Sequence, residues 1–253
     1  MRFRTTFIIA ALMLAAPGLL NAQRGGRGAA APAQTPKAAA AIDLTGYWVS
    51  IVTEDWKFRM VTPNKGEYGA VPISAEGRRI ADAWDPAKDE AAGNQCKSYG
   101  AAALMRMPGR LHITWENDTT LRIDTDAGTQ TRLFHFGGTP PQSGEPTWQG
   151  YSAAQWQYAA GGQRGSGART GTLKVVTTHM RTGYLRKNGV PYSGNARLTE
   201  YYDRIEAPGG EQWLIVTTTV DDPQYLNSPF VTSTNFRKQP DASGWNPTPC
   251  SAR

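Results

Sequence analysis

The stretch Leu111-His112-Ile113-Thr114-Trp115-Glu116-Asn117-Asp118, followed by Leu121-Arg122-Ile123-Asp124-Thr125, decides the fold. Leu111, Ile113 and Trp115 alternate with His112, Thr114 and Glu116. After an Asn117-Asp118 turn, Leu121, Ile123 and Thr125 alternate with Arg122, Asp124 and Asp126. Side chains on a strand point to opposite faces in turn, so this period of two predicts a pair of half-buried strands joined tightly. Asp126-Ala127-Gly128 marks a second turn, and Thr129 to Phe136 reads as a third strand of the same meander.

Extended patterns recur on both sides. Trp148 to Tyr158, Gly171 to Arg181, Arg197 to Ile205, Trp213 to Val220 and Phe230 to Lys238 follow the meander, with Pro208-Gly209-Gly210 as a hairpin turn. Tyr47 to Thr53 and Lys57 to Val61 precede it, giving about ten strands. Only Ser74 to Trp84 carries a helical pattern, with Ser74 as N-cap and Ile80, Ala83 and Trp84 as its apolar stripe. The expected fold class is therefore all-β and antiparallel, with one short helix. That many successive strands protect their edges by closing or doubling over, so a lipocalin-like barrel or a sandwich is expected. The barrel is favoured because Leu198, Glu200, Tyr202 and Arg204 share one face and Leu173, Val175, Thr177 and His179 another, mixing apolar with polar groups. A semi-polar barrel interior accepts that mixture; the alternative is that Glu200 and Arg204 face water.

The amino terminus sets the compartment. Arg2 and Arg4 precede the apolar run Phe7 to Ala16, and Leu20-Asn21-Ala22 offers small residues for cleavage, so residues 1–22 read as a secretory signal peptide. Residues 23–41 are nearly all Ala, Gly, Pro, Gln and Arg and read as a disordered tether. A single β domain spans residues 42–253, holds all eight tryptophans, and is expected in the periplasm or secreted, with no membrane span. The formal charge of +6 misleads, because Arg2, Arg4, Arg24, Arg27 and Lys37 lie before residue 42, leaving 22 basic against 21 acidic residues. A nucleic-acid partner loses its electrostatic basis. The two cysteines, Cys96 and Cys250, are expected to form a disulfide in an oxidising compartment.

Several motifs run through the domain: Leu44-Thr45-Gly46-Tyr47-Trp48, Met107-Pro108-Gly109, Arg132-Leu133-Phe134-His135-Phe136, Pro146-Thr147-Trp148-Gln149-Gly150-Tyr151-Ser152, Leu198-Thr199-Glu200-Tyr201-Tyr202 and Phe236-Arg237-Lys238-Gln239-Pro240. In these the chain resembles a large group of exported bacterial proteins of unassigned function, a resemblance that implies no particular reaction. Members often carry a His after the Trp-x-Gly of the fourth motif, where this chain has Tyr151, so a catalytic role resting on that His does not transfer. Gly46-x-Trp48 is also similar to the opening of lipocalins, which implies a ligand-holding barrel.

Candidate chemistry is sparse. His112, His135 and His179 fall on different strands without metal-ligand spacing, so no metal is expected. Gly-x-Ser-x-Gly is absent, and the glycine-rich 161–171 stretch lacks the strand-to-helix setting of a phosphate loop, so no cofactor is expected. The segment His179 to Tyr192 gathers a general-base candidate, Arg181 and Arg186 to fix a carboxylate or oxyanion, and the phenols of Tyr184 and Tyr192, with Glu200 on the next strand. The same segment also reads as a polar hairpin loop turning at Asn188-Gly189. Glu54, Asp55, Trp56 and Arg59 form a second cluster, equally consistent with a charged edge strand.

Three functions follow as expectations. The first is binding of a small hydrophobic or aromatic molecule in the barrel, walled by Trp48, Trp56, Trp115, Trp148, Trp156 and Tyr202, with Tyr151 and His135 also in contact. The second is a cofactor-free lyase, isomerase or cyclase on the same barrel, using His179 and Glu200 with Tyr184 or Tyr192. The third is a surface interaction protein.

Overall fold

The computed structural model describes residues 34–138, 144–159 and 170–253. The expected signal peptide, residues 23–33 of the expected tether and most of the glycine-rich stretch lie outside the described residues. The strands are β1 Gly46–Ile51, β2 Arg110–Asn117, β3 Thr120–Thr125, β4 Thr131–Phe136, β5 Tyr151–Tyr158, β6 Gly171–Thr178, β7 Gly183–Tyr184, β8 Pro191–Tyr192, β9 Arg197–Glu206, β10 Gln212–Asp221 and β11 Phe230–Gln239. Nine of them close into a barrel in the order β1-β11-β10-β9-β6-β5-β4-β3-β2, and β7 and β8 form a separate hairpin.

Every neighbouring pair in the barrel is antiparallel except β4 and β5. Those two run parallel, so the expectation of an antiparallel sheet is corrected at that seam. A hairpin cannot join parallel neighbours, and residues 137–150 supply the longer return that such a connection needs.

The interior is lined as the alternation requires. Leu111 and Ile113 of β2, Leu121 and Ile123 of β3, Phe134 of β4, Leu173 and Val175 of β6, Tyr202 of β9, Leu214 and Val216 of β10, Phe236 of β11 and Trp48 of β1 are buried in one cluster. The register is continuous around the ring: Ile113 pairs with Ile123, Leu173 with Tyr202, Val216 with Tyr202, Leu214 with Phe236, and Trp48 with Leu111. Trp115 and Trp156 lie on either side of Phe136 at 5.5 and 5.3 Å between ring centroids and extend the same core.

One end of the barrel is covered by residues 34–45, which corrects the expected tether over its last residues. The Trp156 indole donates to the Pro36 carbonyl at 2.9 Å and the Tyr158 hydroxyl to that of Ala39 at 2.7 Å, while Ala41 and Leu44 are buried. Composition predicts disorder when a segment has no core of its own; this one borrows the barrel's rim.

The other end is covered by four short helices and a 3-10 turn rather than the single helix expected. They are α1 Trp56–Arg59, α2 Ala75–Asp82, α3 Pro86–Ala91, the turn Gln95–Tyr99, and α4 Ala101–Leu104. Ser74 caps α2 as anticipated, accepting from the Gly77 amide at 3.1 Å, but the buried residues are Gly77 and Ala81, and Ala83 faces water. Asp85 caps α3, with Pro86 in its first turn. The strand expected at Lys57 to Val61 is instead α1. Asp55 takes a left-handed φ of 49°, which breaks the extended path, and coiling lets Arg59 turn inward to donate to the Arg106 carbonyl at 2.9 Å. Among the described residues no helix is long and apolar enough to cross a membrane.

Candidate functional site

Among the described residues, two places hold arginines away from water. The first is the barrel interior. Arg132 shares the inward face of β4 with Phe134, and Glu200 sits between Leu198 and Tyr202 on the inward face of β9. Arg132 Nη2 donates to Glu200 Oε2 at 2.6 Å and Nη1 to Oε1 at 2.9 Å, with both side chains 0% exposed. The Tyr202 hydroxyl donates to Oε1 at 3.1 Å, and Arg132 Nη2 also reaches Thr177 Oγ1 at 3.1 Å. Thr177 in turn shares a 2.8 Å hydrogen bond with Ser152. Burial opposes the charge on Arg132, but the adjacent Glu200 carboxylate wins and raises the guanidinium's pKa above its ordinary value. Burial, reinforced by Glu200, pushes the Tyr202 phenol well up. The result is a sealed, charge-balanced network in which Arg132 Nη1 and Nη2 are both answered and Nε alone has no partner among the described residues.

The second place is a pocket of about 280 Å³ in the layer that covers the α1–α4 end of the barrel. Phe58, Met60, Tyr99, Met107, Pro108 and Leu185 supply apolar wall, and Arg59, Arg106, Arg186 and Lys187 supply charge. Arg59 pairs with Glu54, and Arg106 Nη2 meets Asp55 Oδ2 at 2.9 Å. Arg186 is 3% exposed and has no carboxylate partner among the described residues. Its Nη1 donates to the Gly69 carbonyl at 2.7 Å, and its guanidinium lies over the Phe58 ring at 4.2 Å. Burial first, then the nearby Arg106 charge, pushes Arg186 down to about 10, which still leaves it cationic at neutral pH.

Local sequence explains how this pocket forms. Gly189, at φ +85°, turns the β7–β8 hairpin against Trp84 so closely that a Cβ would stand 2.3 Å from the Trp84 Cβ, and this folds Arg186 beneath the cap. Gly128, at φ +76°, lies against the Tyr99 ring, where a side chain would collide. A disulfide joins Cys96, in the 3-10 turn, to Cys250 in the carboxy-terminal tail, as expected. Thr248, close to that link, forms part of the pocket wall and accepts at its carbonyl from the Thr129 hydroxyl at 3.0 Å.

The structure separates most of the residues singled out from sequence. Glu200 and Tyr202 meet inside the barrel, but His179 does not join them. It is exposed, with a φ of 56° that ends the β6 alternation, and its Nδ1 lies 3.2 Å from Thr178 Oγ1. Tyr192 is fully buried in the cap, and its phenol is pushed up by burial. Tyr184 donates to Asp89 Oδ2 at 2.8 Å beside Lys97, and burial and then Asp89 push its phenol up. Arg181 is exposed, reaching Asn94 at 3.2 Å and lying 4.5 Å from the Trp148 ring. Tyr151 and His135 stack at 4.9 Å with both side chains half-buried, and burial lowers the His135 pKa.

Of the tryptophans proposed as a ligand wall, Trp48, Trp115 and Trp156 are core packing and Trp56 is 64% exposed. The hairpin at 179–192 turns at Asn188-Gly189 as read, yet Leu185, Arg186, Asn188, Val190 and Tyr192 are buried rather than polar loop. Sequence reasoning overlooked Arg132 and Arg106. Arg132 was detectable, because it falls on the same face as Phe134 and Phe136 in a strand. Arg106 follows a helical segment too short to carry a periodic signal. Among the described residues no three His, Cys, Asp or Glu side chains converge as metal ligands. No family model matches the chain, nor does any curated protein or solved structure, so the reading of the site stands on its geometry.

Proposed function

We propose that this protein binds a small, partly aromatic or hydrophobic molecule, and that the binding place is the pocket beneath the helical cap rather than the bore of the barrel. The observation that carries this reading is the contrast in packing. Trp48, Phe134, Tyr202, Phe236 and the Arg132–Glu200 pair fill the bore to near-complete burial, whereas the cap leaves about 280 Å³ walled by Phe58, Tyr99 and Met107. That volume is near the lower end of the roughly 300–1,000 Å³ typical of ligand pockets, and its mixture of apolar wall with a few placed charges is their usual chemistry. Export to the periplasm or beyond the cell belongs to the same reading, and the Cys96–Cys250 disulfide supports it. An acid–base enzyme built on His179 and Glu200 receives no support from the geometry, since one is exposed and the other is sealed by Arg132.

The test is a titration of the mature protein with 2-naphthol, followed by backbone amide shifts. Shifts grouped at residues 58–62, 99–107 and 185–187 are expected. Shifts centred on strands at Val175, Glu200 and Val216, or none at all, overturn the reading.

A further inference from the structure

The guanidinium of Arg186 offers two edges for paired hydrogen bonds, and only one is occupied. Nη1 is spent on the Gly69 carbonyl, while Nε and Nη2 are buried and have no hydrogen-bond partner among the described residues. Those two donors point in parallel from one edge of a planar group, the arrangement that matches the two oxygens of a carboxylate. Arg106 adds a further donor without a partner, Nη1, and is itself 6% exposed. Both arginines line the same pocket. A buried donor left unmet costs about 1–3 kcal/mol, and more when it is charged, so three of them beside one pocket are an expensive arrangement for a fold to keep. Charge tells the same story. Around the pocket Arg59 is answered by Glu54 and Arg106 by Asp55, leaving Arg186 and Lys187 as the surplus.

We infer that the pocket's ligand carries a carboxylate, which takes the free Nε–Nη2 edge of Arg186 and the free Nη1 of Arg106, while its apolar body lies against Phe58, Tyr99 and Met107. This rests on the binding function proposed above and names the class of ligand for that site. A planar monoanion suits the edge better than a tetrahedral dianion. Phe58 covers the face of the guanidinium at 4.2 Å, so an acceptor would meet this arginine at its edge, where Nε and Nη2 are unpartnered.

The experiment compares three probes of one shape on the wild-type mature protein at pH 7: 2-naphthoate, 2-naphthamide and 2-naphthyl phosphate, each titrated by amide shifts. The carboxylate is expected to bind at least about tenfold more tightly than the neutral amide, as charge-assisted hydrogen bonds to a buried site imply. Arg186→Met is expected to bring that ratio close to one. Equal affinity for naphthoate and naphthamide overturns the carboxylate assignment while leaving small-molecule binding intact. Tightest binding of the phosphate overturns the choice of a carboxylate. Failure of all three, with no response to sodium acetate either, overturns the binding function and this inference together. Sodium acetate, titrated alone, separates the remaining case: shifts at Arg106 and Arg186 with no response to any naphthyl probe keep the anion site and remove the aromatic ligand. Where Arg186→Met does not fold, the wild-type series decides alone.

Discussion

The bore of the barrel and the pocket beneath its cap each bury arginine, and they treat it in opposite ways. Inside the bore Arg132 is met by both oxygens of Glu200 and by Thr177, so the charge is cancelled where it stands. In the cap Arg186 is given a single carbonyl and an aromatic face, and an edge of it is left over. The same residue type therefore serves architecture in one region and, in the function proposed above, recognition in the other. What distinguishes them is the counter-charge, since burial is nearly equal: Arg132 leaves only Nε unmet and has Glu200 beside it, whereas Arg186 leaves Nε and Nη2 unmet and has no carboxylate partner among the described residues.

The comparison can be broken first at the cap. Cys96 and Cys250 are separated by 154 positions, and closing so long a loop restricts the unfolded chain by about 5 kcal/mol in the loop-entropy model. The double variant Cys96→Ser/Cys250→Ser is expected to lose up to that amount in urea unfolding. It should also lose 2-naphthol shifts at Tyr99 and Met107, because the linked tail carries Thr248 into the pocket wall. A variant that keeps full stability and full probe response would show that the cap is held by its packing alone.

Breaking the bore should cost nearly as much. Glu200→Ala leaves Arg132 charged with no counterion in a sealed interior, a change expected to destabilise by about 3–5 kcal/mol. The paired replacement Arg132→Met/Glu200→Leu removes both charges and should recover most of that loss, by the same denaturation assay. Recovery separates a buried pair, whose members are needed only because each other is present, from the cap arginine, whose replacement should show up in ligand selectivity.

The smallest effect sharpens the comparison on the outer wall. Burial lowers the His135 imidazole below its ordinary value of 6.5. The unfolded chain therefore takes up the proton first as pH falls. Stability from this group is complete above about pH 6.5 and declines as pH drops from there towards the folded-state value. His135→Phe should remove that part of the slope in unfolding titrations between pH 7 and 5, whereas an unchanged slope would assign it to other groups.

The barrel was legible because its strands carry the two-residue alternation in full. Leu111, Ile113, Leu121, Ile123, Leu173, Val175, Leu198 and Tyr202 all fall on the buried face that the alternation assigns them, and the turns at Asn117-Asp118 and Pro208-Gly209-Gly210 fall where the chain reverses. The parallel seam was not legible, since alternation reports which face is buried and says nothing about which neighbour runs alongside. The cap was harder still. Its elements are short, and a segment such as Trp56–Arg59 is decided by Asp55 turning left-handed and by a distant partner, Arg106, neither of which leaves a local pattern. Arg186 was picked out as an anion-fixing residue, but together with Arg181 in one shared segment. The structure buries the first and exposes the second, because Gly189 folds the hairpin under Trp84 while Arg181 stays outside against Trp148.

The seam between β4 and β5 is the short one. It joins three residue pairs, from Phe134 with Ser152 to Phe136 with Ala154, where β9 and β10 share ten. A barrel opens where its lacing is thinnest, so transient breathing of this wall should begin here. Arg132 stands on β4 beside that gap, and Glu200 is on β9, the third strand on its far side. Their bond works as a rivet driven through the hollow of the barrel, clamping the loose lip to the firm side and reinforcing the wall from within.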